Sequence, residues 1–230
     1  MSPLKPEQVI PQQLRGVVEP IPYWFIIGGH AVRCFCPYRP TRDVDFGVRQ
    51  AHSLDELVEE LRRSGDMEIL ERAQDTVHLR WNKIGVSIFL LENLARFTEE
   101  RRLSIEGILA TKVHAIVDRG ARRDFFDLYV TMQDQQLGLV ECLRALRAVF
   151  EQDINDSLVL RALTFFDDAD REAPLPGEGQ EDWDRVQGFF LTRVGQLLVP
   201  PSEPLEIQQL RVDVGETDPA EKDARPDAQV

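Results

Sequence analysis

The residues best suited to chemistry are two aspartates on one short run, Asp43-Val44-Asp45. Residues 43–48, DVDFGV, alternate charged and apolar side chains as a strand does, so Asp43 and Asp45 share a face. Parallel carboxylates repel unless a cation or open water meets them, and a hard divalent ion, Mg2+ or Mn2+, suits oxygen ligands. Upstream, the apolar run 23–27, YWFII, closes on Gly28-Gly29. A glycine pair lets backbone approach a phosphate with no Cβ in the way. A diglycine after one strand and an acidic pair on the next is one way to hold a metal–nucleotide complex. The other reading of the same residues is a solvated strand edge and a glycine turn.

A second cluster runs from Lys112 to Asp127, KVHAIVDRGARRDFFD. Lys112 and Arg119 lie two turns apart on one helix face, and Asp124 and Asp127 share a face of the next helix. An acid in a helix's first turn is also favoured by the helix dipole, and the arginines here can equally pair with these acids at the surface.

The elements that must position these groups follow from periodicity. Strands are expected at 23–27, 43–48, 67–71, 76–81 and 85–91, with a hairpin turn at 82–85. Ser53 and Glu56 have the spacing of a capping box ahead of a helix over 54–63. In 105–119, apolar residues recur near a 3.6-residue period, and 122–133, 139–152, 156–166 and 183–198 continue the helical pattern. Phe125, Phe126, Tyr129 and the pairs Phe165-Phe166 and Phe189-Phe190 are assigned to the core. The fold class is α+β: a mixed sheet with flanking helices, then a helical C-terminal region. Residues 1–98 form the α/β core, 99–200 a helical region completing the cleft, and 201–230 an acidic tail too poor in apolar residues to fold.

The chain of 230 residues carries 27 Lys+Arg against 40 Asp+Glu, a net −13, which argues against a surface coated in positive charge for non-specific nucleic-acid binding. No apolar run spans a bilayer and the N-terminus lacks the apolar stretch of a secretory signal, so a cytoplasmic location is expected. Cys34, Cys36 and Cys142 are too few for a disulfide scaffold, and Cys34-x-Cys36 with His30 lacks a second ligand pair at zinc spacing.

The order of the motifs resembles the AbiEii/MenT nucleotidyltransferase-like toxins, a family of the polymerase-beta-like nucleotidyltransferase superfamily. The matching residues are Gly28-Gly29, then Thr41-Arg42-Asp43-Val44-Asp45, then Lys112 with Ala115 and Arg119, then Arg123-Asp124-Phe125-Phe126-Asp127. The resemblance implies a nucleotidyltransferase-like fold and transfer of NMP from a nucleoside triphosphate to an acceptor hydroxyl, with RNA, in particular a tRNA end, as acceptor and a cognate antitoxin as partner. Asp43 and Asp45 would bind Mg2+ or Mn2+. Gly28, Gly29, His30, Arg42, Lys112 and Arg119 would bind nucleotide, and Asp124 or Asp127 would complete the pocket. Arg33, Arg39, Arg42, Lys112, Arg119, Arg122 and Arg123 would give a basic lining. Lys112→Ala is expected to weaken triphosphate binding far more than folding.

One departure stands out. The superfamily places a third carboxylate on a later strand, and here that strand is 85–91. Gly85, Ser87, Phe89 and Leu91 share a face, so Ser87 holds the acid's place, and Glu92 lies beyond it on the opposite parity. An inactive nucleotide-binding module is therefore one alternative, and an antibiotic adenylyltransferase, which also uses G-G before a D-x-D strand, is another.

Overall fold

Alternation writes the central strand. Val44, Phe46 and Val48 are fully buried, while Asp45 between them is half-exposed on the other face. The structure, a computed structural model, describes residues 3–151, 154–179 and 181–198. The acidic tail expected over 201–230 lies outside the described residues.

Seven strands make one sheet: β1 (Trp24–Ile26), β2 (Val44–Val48), β3 (Met67–Arg72), β4 (Thr76–Trp81), β5 (Ile84–Leu90), β6 (Thr98–Glu99) and β7 (Arg102–Leu103), in the order β3-β4-β5-β2-β1-β7-β6. β2 runs antiparallel to β1 and parallel to β5, so the sheet is mixed. The β4–β5 turn places Asn82 and Lys83 at φ 45° and 71°, the left-handed pair of a two-residue hairpin.

Eleven helices occur among the described residues: α1 (Pro6–Val9), α2 (Gln12–Val18), α3 (Gly28–Arg33), α4 (Ala51–Ser64), α5 (Glu92–Ala95), α6 (Ile105–Arg119), α7 (Arg122–Gln135), α8 (Leu139–Phe150), α9 (Asp156–Ala162), α10 (Asp167–Asp170) and α11 (Asp182–Leu198). The expected α+β class holds: a mixed sheet, flanking helices and a helical C-terminal region. Residues 98–103 add the hairpin β6–β7 to the sheet before the long helices begin.

α4 corrects one expectation. It starts at Ala51, so Ser53 lies inside the helix, buried, and is not its cap. Leu54, Leu57, Val58 and Leu61 form its buried stripe, and Trp81 Nε1 donates to the Leu61 carbonyl at 2.9 Å. α6 begins at a true cap, where Ser104 accepts from the Gly107 N–H at 3.2 Å, and ends at Gly120 in the left-handed conformation, φ 58°. That glycine lets the chain reverse within two residues, so α7 starts beside the end of α6. Phe125 packs with Phe166, Trp183 and Phe190 at ring-centroid distances of 5.2–5.8 Å and ties α7 to α11. Phe165, expected in the core, is 48% exposed, because only one of two neighbours can face inward there.

Candidate active site

Asp43 and Asp45 lie on the sheet face opposite Val44 and Phe46, and each carboxylate rests against a glycine. A Cβ on Gly28 would collide with Asp45 Oδ2, and a Cβ on Gly85 with Asp43 Oδ1. Gly28 has φ 62°, a conformation that a side chain rarely adopts. The register explains the second contact: Val44 pairs with Val86, which brings Asp43 level with Gly85. Asp43 is exposed and Asp45 half-buried. Burial raises the Asp45 pKa, Lys112, Arg123 and Arg119 pull it down, and Asp43 adds to the rise.

Lys112, Asp124 and Asp127 form the second half of the site. Lys112 is only 5% exposed, and its ammonium lies 2.6 Å from Asp127 Oδ2 and 3.0 Å from Asp124 Oδ1. Burial alone would lower the Lys112 pKa, but Asp127 and Asp124 hold it above the ordinary value. Burial would likewise raise Asp124, but Lys112 and Arg119 hold it low. Arg119 donates from Nε to Asp124 Oδ2 at 2.9 Å. On the far side, Arg39 pairs with Asp127 at 3.0 Å, and the Tyr38 hydroxyl donates to Asp127 Oδ1 at 2.5 Å. Both acids are thus engaged in holding cations. Neither opens onto solvent: Asp124 is 0% and Asp127 1% exposed.

The remaining expected residues separate. Gly29 packs against Arg39 and Thr41. His30 is 1% exposed, its Nδ1 has no partner among the described residues, and burial with the nearby Arg33 charge lowers its pKa to about 4. It is a neutral core imidazole under the diglycine turn and brings no positive charge to the pocket. Arg42 and Arg123 are exposed and make no ion pair among the described residues. Arg122 leaves the expected basic lining: its guanidinium pairs with Glu178 at 2.5 Å and stacks on Trp183, which anchors the loop before α11. Cys34, Cys36 and Cys142 are free and buried, and burial raises each thiol to about 12.

Two residues escape sequence reading. Tyr38 meets Asp127 across 89 positions, with no local signal. His78 faces Ser87 because β4 pairs with β5; its place in the alternation Thr76-x-His78-x-Arg80 was legible, but its register was not.

Residues 87–196 match the family model described as "Nucleotidyl transferase AbiEii toxin, Type IV TA system". The chain resembles the AbiEii toxins. The match begins at Ser87 and takes in the Lys112–Asp127 cluster, so the AbiEii likeness and the buried ion network coincide. An uncharacterized protein of Aquifex aeolicus (strain VF5) is 25% identical over 185 residues, covering 76% of this chain and 88% of its own. A solved structure, described as that of a nucleotidyltransferase candidate from H. pylori, is 17% identical with a TM-score of 0.48, covering 81% of this chain and 94% of that one. No helix of the AbiEii-like chain is long and apolar enough to cross a membrane, among the described residues.

Proposed function

We propose that the protein is a metal-dependent nucleotidyltransferase that moves NMP from a nucleoside triphosphate to an acceptor hydroxyl. In this reading the acceptor is RNA, in particular a tRNA end, and the protein is the toxin of a toxin–antitoxin pair. The observation that carries the transferase reading is a pair of glycine-cradled aspartates, one of them within the field of a lysine fixed by Asp124 and Asp127, in a chain similar to the AbiEii toxins.

Asp43 and Asp45 fit a divalent cation. Both are hard oxygen donors, and the absence of a Cβ at Gly28 and Gly85 gives the two carboxylates the space they occupy. Among the described residues no third His, Cys, Asp or Glu joins them. Bound there, Mg2+ or Mn2+ supplies Lewis-acid polarisation of phosphoryl oxygens.

The chain's own residues do the positioning. Gly28 and Gly29 let the backbone come close to phosphate oxygens. Lys112 gives two of its three N–H donors to Asp124 and Asp127, which aims the third and keeps the ammonium from rotating away. Arg119 is held by Asp124 in the same way, and Arg42 and Arg123 offer exposed guanidinium groups to phosphate or RNA backbone. Catalysis of this kind is charge stabilisation by groups already in place.

Ser87 favours a second reading, a nucleotide-binding module without transferase activity. Isothermal calorimetry with ATP, GTP, CTP and UTP tests what both share. Magnesium-dependent binding of at least one is expected, and no binding of any, with or without the metal, contradicts both.

A further inference from the structure

Three strands set Asp45, Ser87 and His78 in one row. Asp45 of β2 pairs in register with Ser87 of β5, and Ser87 with His78 of β4. Residues opposed in this way share a sheet face and lie about 5 Å apart along the hydrogen-bonding direction. This face is the one turned away from Val44, Val77 and Val86, which are buried. Ser87 and His78 are both half-buried. His78 Nδ1 lies 2.9 Å from Ser87 Oγ, and the imidazole meets the Phe89 ring edge-on at 5.6 Å. The ring is therefore held by a hydroxyl on one side and an aromatic on the other, next to the carboxylate that anchors the site.

We propose that Ser87 and His78 form the proton relay for the acceptor hydroxyl, with Ser87 touching that hydroxyl and His78 acting through Ser87 as a positioning residue. The proposal rests on the nucleotidyltransferase reading. A serine hydroxyl alone is far too weak a base, but an imidazole behind it takes the proton that the serine passes on. In the step, the acceptor O–H bond breaks and the acceptor oxygen bonds to the α-phosphorus. The bond from the α-phosphorus to the oxygen bridging to the β-phosphate breaks, and pyrophosphate leaves with that electron pair. The acceptor's proton goes to Ser87 Oγ while the Ser87 proton goes to His78 Nδ1. His78 must start neutral, with its proton on Nε2. Glu71 of β3 stands opposite His78 in register, and Arg80, on the same face of β4, is paired with Glu68.

The test is single-turnover transfer from labelled triphosphates to RNA by the full chain and by Ser87→Ala, His78→Gln, the double variant, and His78→Gln combined with Ser87→Asp. The relay predicts that each single change lowers the transfer rate about 100-fold or more with the triphosphate KM nearly unchanged. The Ala/Gln double should be no slower than either single, since the two act as one unit. Ser87→Asp should recover at least about tenfold in the His78→Gln background, because a carboxylate takes the proton itself. Melting temperatures close to wild type would confirm that the fold is kept. Nitrogen-15 spectra of the His78 ring in the resting protein give a readout independent of turnover: Nδ1 should be the unprotonated nitrogen. A protonated Nδ1 donating to Ser87, or single variants within a few-fold of an active wild type, or a loss that Ser87→Asp does not recover, would overturn the relay alone. A wild type that transfers to no RNA would overturn the RNA-directed nucleotidyltransferase reading, and the relay to an RNA hydroxyl with it.

Discussion

Lys112 and Asp127 form a buried ion pair, Nζ to Oδ2 at 2.6 Å, with Asp124 closing on the same ammonium at 3.0 Å. Lys112→Ala is expected from the sequence to weaken triphosphate binding far more than folding; the burial of this pair adds a large folding cost to that expectation. Removing the lysine leaves two buried carboxylates held by Arg119, Arg39 and the Tyr38 hydroxyl without their shared ammonium, and breaking a buried pair from one side costs about 3–5 kcal/mol. Urea unfolding of Lys112→Met should show a loss of that order, and Asp127→Asn added to it should recover part. A loss under about 1 kcal/mol would mean that the network is solvated.

His30 gives the protein an acid-side sensitivity. Its folded pKa is depressed from 6.5 to about 4, so the unfolded chain binds the proton first. Stability is then full above pH 6.5 and falls as the pH drops through the window from 6.5 to about 4, by roughly 3 kcal/mol in all. His30→Gln should flatten that slope. An unchanged pH profile of unfolding in the variant would show that His30 is not the group responsible.

Asp45 works in the opposite sense. Its folded pKa is raised, so the ionised form costs stability: the folded state gains from the proton below pH 3.8 and loses that gain as the pH rises through the folded value. Asp45→Asn should therefore melt higher than wild type at neutral pH in the absence of divalent metal. Magnesium should raise the wild-type melting temperature and leave Asp45→Asn and Asp43→Asn unmoved, since only binding to the folded form stabilises it. Equal magnesium shifts in all three proteins would take the metal away from these aspartates.

Gly28→Ala tests the cradle. The left-handed backbone penalises any side chain by about 1–2 kcal/mol, and the new methyl would strike Asp45 Oδ2. The variant should lose modest stability and most of its magnesium-dependent triphosphate affinity. Wild-type affinity would show that Asp45 can move aside at no cost.

What the sequence disclosed of this site depended on range. The D-x-D alternation fixes its own facing, because the strand period is local, and the apolar period of 105–119 gives the span of α6. Ser53 misled because cap chemistry also occurs inside helices; the chain enters α4 directly from β2, with Gln50 in the cap position. The partner of Lys112 was not legible. The two-residue reversal at Gly120 brings Asp124 and Asp127, from the next helix, over it. Tyr38 and Arg39 reach Asp127 from the connection between α3 and β2, and nothing in their own neighbourhood announces it. His78 needed the β4–β5 register, which a hydrophobic pattern sets only to within a slip of two.

The most direct measurement of nucleotidyl transfer is incubation of the protein with each α-labelled nucleoside triphosphate, magnesium and total RNA, alongside Asp45→Asn. The account predicts label on RNA, tRNA in particular, from at least one triphosphate with wild type, and none with Asp45→Asn. Calorimetric binding of a triphosphate without any label transferred, or equal labelling by wild type and Asp45→Asn, would contradict it.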